Sequence, residues 1–78
     1  MNDETTDRAK KLFFAFKKAV EAEQEAQAMY KEAISLCDDD ECRNILEGFL
    51  EDEITHEKEI MIQYKKLREK YSVLDAEN

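Results

Sequence analysis

Residues 12–37 read LFFAFKKAVEAEQEAQAMYKEAISLC, and along them Leu12, Phe16, Ala19, Glu23, Ala26, Tyr30, Ala33 and Cys37 recur at alternating steps of four and three. That spacing marks a helix face that packs against other helices. Glu23 is the one charged residue of the stripe. Further along runs a second stripe, Cys42, Leu46, Phe49, Glu53, His56, Ile60, Tyr64, Leu67, Tyr71 and Leu74, with a four-four step at Ile60 to Tyr64 that reads as a stutter. Its only groups that ionise near neutral pH are Glu53 and His56. One carboxylate and one Glu-x-x-His pair thus occupy the two faces expected to be buried.

Between the stripes, Asp38 to Asp40 supplies the turn. Folding the chain back there sets residue n opposite roughly residue 78 minus n, in the manner of an antiparallel helical hairpin. Glu23 then meets Thr55, between Glu53 and His56, and three ligand-type side chains share one level of one apolar core. An uncompensated buried carboxylate costs several kcal/mol, so something must neutralise this group.

The remaining composition fits this plan. The chain has 78 residues with one Gly, no Pro and 41% charged residues, which describes a single all-α unit because helix breakers are nearly absent. The expected elements are a helix over about 6–37, a turn at about 38–40, a helix over about 41–71 and a short tail. Thr5 to Asp7 offer a start for the first helix, and Asp38 with Glu41 three residues later reads as a capping box opening the second. Gly48 falls inside the second helix, where it costs up to about 1 kcal/mol relative to Ala. A close helix approach near Phe49 and Tyr30 is one reading of its presence.

Two long helices in one hairpin cannot enclose a core, since each apolar stripe is only half covered by its partner. A homodimer, or a larger even-numbered assembly, is therefore expected, the simplest being a twofold four-helix bundle. The net charge of −8 argues against nucleic acid and anionic membrane as partners, which require a Lys/Arg surplus. The longest unbroken apolar run is Leu12 to Phe16, so neither a membrane span nor a signal peptide is expected and the cytosol is the simplest location. Cys37 and Cys42 flank the turn and are expected to be free thiols rather than a disulfide in that reducing setting.

A twofold pair of such hairpins would offer four carboxylates and two imidazoles, the donor set of di-iron carboxylate bundles. Two divalent cations cancel those four charges. Carboxylate oxygen with imidazole suits Fe, Mn or Zn better than Cu(I), Mg or Ca.

The pattern of Glu23, Ala26, Tyr30 and Ala33 followed by Glu53-Ile54-Thr55-His56 resembles the ferritin-like superfamily, and within it the rubrerythrin-type and encapsulated-ferritin branch. The likeness spans the chain from about Ala19 to Tyr64. It implies a ferritin-like bundle and a ferroxidase, with two Fe(II) bound across a homodimer interface and oxidised to Fe(III) by dioxygen or peroxide, in the service of iron storage or detoxification. It also implies that Glu23, Glu53 and His56 are the metal ligands, that one carboxylate type bridges the metals, and that Tyr30 donates a hydrogen bond beside them. Of the acidic residues that flank the first-helix ligand in the family, Glu25 has a counterpart here, whereas Ala22 stands where another would be. Ser72 to Asn78 lacks a counterpart of the tail that directs encapsulated members into a shell, so a nanocompartment location has no support from the tail.

Two other readings remain open on the sequence. One is a metal-free helical-hairpin oligomerisation module in which Glu23, Glu53 and His56 form a hydrogen-bonded network that fixes register. The other is a rubrerythrin-like, peroxide-reducing di-iron protein, which would need electrons from a separate protein because two cysteines cannot build a rubredoxin-type iron site.

Overall fold

A computed structural model describes residues 3–71. Helix α1 spans Asp3–Leu36 and helix α2 spans Asp40–Lys70, and they pack on each other as an antiparallel hairpin. The molecule measures 58 × 16 × 15 Å, with a radius of gyration of 17.4 Å against about 11–12 Å for a compact chain of this length. No helix among the described residues is long and apolar enough to cross a membrane.

Helix α1 begins earlier than expected, already by Asp3, and ends at Leu36. The Cys37 amide still donates to the Ile34 carbonyl at 3.2 Å, a tightened last turn that satisfies one orphan acceptor. Asp38 is consumed in the connection, so the cap of α2 falls on Asp39, one residue after the expected position. Asp39 is extended (φ −139°, ψ 162°), and its Oδ1 accepts from the Cys42 amide at 2.7 Å. The residue three beyond the cap is thus Cys42 rather than Glu41, and the expected capping box does not form. Asp40 and Glu41 lie in the first turn of α2 and Arg68 and Lys70 in its last, each opposite in sign to the local helix dipole. The far end of the second stripe, Leu74, and the tail from Ser72 lie outside the described residues.

Aromatic side chains align the helices on either side of their midpoint. Phe13 meets Tyr64 edge-on at 5.9 Å and Tyr71 at 6.3 Å, while Tyr30 meets Phe49 at 5.8 Å nearer the turn. Between these clusters Glu23 lies beside Glu53 and His56, as the folding-back argument requires, and Thr55 is exposed.

The contact seam contains the expected stripes, apart from the more exposed Leu12, Phe49 and His56, and is wider than they are. Phe13, Val20, Gln27 and Ile34 of α1 and Leu50 and Glu57 of α2 are half-buried, whereas Leu12 is 43% and Phe49 47% exposed. The apolar arc of each helix is wide enough for two neighbours, and one partner covers only part of it. Among the described residues Ala9 alone is fully buried. Leu36, Ile45, Met29 and Phe14 are all more than half exposed. The hairpin thus leaves several large apolar side chains in water.

Gly48 does not mark a close approach. A Cβ placed there would meet nothing within 4 Å. Cys37 and Cys42 are free and half-buried. Hydrogen bonding to the Cys42 thiol, then burial, pushes the Cys37 thiol up to about 11, which keeps it protonated.

Candidate metal centre

Glu53 and His56 are one helical turn apart on α2 and project toward the same side, while Glu23 reaches them from the middle of α1. His56 Nδ1 lies 3.8 Å from Glu53 Oε2 and 3.9 Å from Glu23 Oε2. One ligand atom from each of the three falls within 4.8 Å of the others. The carboxylates sit in the seam, with side chains 19% and 22% exposed, and the imidazole is 53% exposed on the open flank. The centre is therefore enclosed on one side and open on the other.

Its electrostatics are set by two carboxyl groups held side by side in the seam. Glu23 Oε2 is buried and has no hydrogen-bond partner. The neighbouring Glu53 carboxyl, through a shared proton, raises the Glu23 pKa above the ordinary carboxyl range; burial and repulsion from Glu53 add to this, and His56 opposes it. The site thus favours the protonated form of Glu23 more than water does.

Donor set and spacing both fit a divalent metal. Two carboxylates with a neutral imidazole carry the charge that one such ion cancels. Ligand atoms that each lie about 2.0–2.2 Å from a common ion stand roughly 3–4 Å apart, the range seen here between His56 and the two carboxylates. The two separations from His56 are too long for direct hydrogen bonds, so the imidazole is not tied to either carboxylate, whereas Glu23 and Glu53 are hydrogen-bonded to each other.

The other candidates fall outside this group. Tyr30 is half-buried, and its ring packs against Phe49 at 5.8 Å, toward the turn. Glu25 is exposed on α1.

One carboxylate beside the centre escaped the sequence reading. Glu57 follows His56 directly and lies on the opposite edge of the seam, where its Oε1 accepts from Gln27 Nε2 at 2.7 Å and its Oε2 from Gln24 Nε2 at 2.9 Å. Gln27 and then Gln24 hold its pKa below the ordinary value. The signal available in sequence was the pair Gln24 and Gln27, one turn apart and flanking the face of Glu23. An apolar stripe does not single them out, because Gln27 and Glu57 flank it and are polar.

Between the helices on the open flank lies a shallow apolar groove lined by Leu12, Ala15, Phe16, Ala19 and Ile60. It continues the face that carries His56. A model of the ferritin-like domain family matches residues 2–69. No curated protein and no solved structure matches the chain.

Proposed function

The chain belongs to the ferritin-like domain family, and from that premise we propose that it is a ferroxidase whose substrate, Fe(II), binds at Glu23, Glu53 and His56 in a centre completed by a second copy of the chain. The observation that carries this reading is the buried, unpartnered Oε2 of Glu23 facing the Glu53 carboxylate and the His56 imidazole. Iron bound there supplies the redox change, each Fe(II) losing one electron to an oxidant of the dioxygen or peroxide class. Mn or Zn could occupy the same donors.

The protein's own part is to present the donors in the correct state. Glu23 and Glu53 offer two carboxylate groups, and His56 offers a ring nitrogen. The seam keeps water from the Glu23 side, which strengthens the attraction between the carboxylates and a cation. A second hairpin laid over the open flank by a twofold rotation would cover His56 and the apolar groove together and bring a second, identical donor set to the same interface.

Anaerobic Fe(II) titration of metal-stripped protein, with light scattering and then oxygen exposure, tests the reading. Saturation near one iron per chain, dimer formation and rapid growth of Fe(III) absorbance in the near ultraviolet are expected for a shared two-metal site. Absence of binding together with an unchanged oligomer would leave a structural hairpin as the better account.

A further inference from the structure

The centre needs more than the right residues at the right height. An apolar seam tolerates sliding, and a one-residue slip of one helix shifts a side chain by about 1.5 Å and turns it by about 100°. A metal centre tolerates only about 0.5 Å. Something directional must therefore hold α1 against α2 at the level of Glu23.

We propose that Glu57, clasped by Gln24 and Gln27, is a positioning residue that sets the rotation and axial register of the helices and so holds Glu23 level with Glu53 and His56. The two hydrogen bonds, 2.9 and 2.7 Å long, run from adjacent turns of α1 to the two oxygens of one carboxylate on α2. Two donors on successive turns resist both slip and rotation, whereas one would act as a pivot. The clasp is wired directly to the ligands, since Gln24 follows Glu23 and Glu57 follows His56 in the chain. Neighbouring helix positions differ by about 100° in direction, so the clasp closes one edge of the seam while the ligands face the other. Each oxygen of Glu57 accepts from an amide donor, and Glu57 lies outside the group of three side chains that can share an ion, so it serves as a brace for the centre.

This inference rests on the metal-centre reading, and Co(II) titration of the 78-residue chain separates the two. Co(II) takes mixed carboxylate and imidazole donors, and its visible bands report their number and arrangement. Glu57→Ala and the double variant Gln24→Ala/Gln27→Ala are each expected to weaken Co(II) binding by about 10- to 100-fold and to alter the band intensities. Adding Glu57→Ala to the double variant is expected to bring little further loss, since one device is removed either way. Glu57→Gln is expected to recover most of the affinity, because a side-chain amide can still pair with both glutamines once one of them flips. Should Glu57→Ala fail to fold by circular dichroism, Gln27→Ala, which removes a single bond, and Glu57→Gln carry the comparison. Wild-type affinity and spectrum in Glu57→Ala, or in Gln27→Ala where that variant stands in, would overturn the clasp alone, as would a Glu57→Gln variant no better than Glu57→Ala. Failure of the wild-type chain to bind Co(II) would overturn the metal centre and the clasp with it.

Discussion

His56 Nδ1 stands 3.9 Å from Glu23 Oε2 across the seam, too far for a hydrogen bond and close enough for both atoms to hold one ion. Glu53 Oε2 lies at a similar 3.8 Å from the same nitrogen. Three donors poised around a common point, with one buried oxygen left without a partner, make the centre costly to the apo fold and favourable to a cation.

Removing a ligand should therefore separate function from stability. Glu23→Gln, Glu53→Ala and His56→Ala are each expected to abolish stoichiometric Fe(II) oxidation while circular dichroism still reports two helices. Rapid oxidation retained in all three would refute the assignment of the centre.

Glu23→Gln should also make the metal-free protein harder to unfold at neutral pH, because it removes a buried acid held beside Glu53. The check is the urea midpoint of metal-stripped protein with and without the substitution. A lower midpoint in the variant would mean that Glu23 is already well compensated in the apo state.

The pH dependence follows from the direction of the Glu23 shift. Its folded pKa lies above the ordinary value of 4.5, so the folded state binds the proton more tightly than the unfolded chain does. Apo stability attributable to Glu23 should rise as pH falls through the raised pKa and level off below the ordinary one. Glu57 is shifted the other way, and its contribution should be lost as pH falls through its depressed pKa. Urea unfolding of wild type and Glu23→Gln from neutral pH downward isolates the first effect, and the gap between them should narrow as the solution becomes more acidic.

Self-association should depend on the open flank. Leu12 and Ala19 line the apolar groove beside the centre, so Leu12→Glu or Ala19→Glu is expected to block dimer formation and depress iron oxidation while leaving Glu23, Glu53 and His56 in place. Light scattering in the presence of metal provides the measurement. An unchanged dimer would place the partner on the other face.

At Gly48 the expected outcome is stabilisation. A Cβ there enters open space within a helix, so Gly48→Ala should raise stability by about 0.5–1 kcal/mol without altering iron binding. Thermal or urea unfolding of the two proteins decides it.

Much of this arrangement is legible in the residues themselves. The alternation of three and four from Leu12 to Cys37, the absence of proline and the aspartates at 38–40 are sufficient for two helices and a turn. Counting back from that turn brings Glu23 close to the level of Glu53 and His56, because axial rise along a helix is nearly invariant, and leaves the finer register to contacts between the helices. The cap at Asp39 was missed by one residue, since three consecutive aspartates offer equal caps and only the exit of α1 chooses among them.

The order of the helices, their approximate lengths and the approximate height of the three donors were thus determined by the sequence alone, through periodicities that belong to each helix separately. What only the tertiary structure decided is which flank of each stripe joins the seam, here Phe13, Gln27 and Glu57, and which stripe members, such as Leu12 and Phe49, stay partly exposed. An apolar arc broad enough for two neighbours does not say which part faces which one. That choice is made by contacts between the helices, here ring packing at both ends and two amides on one carboxylate between them.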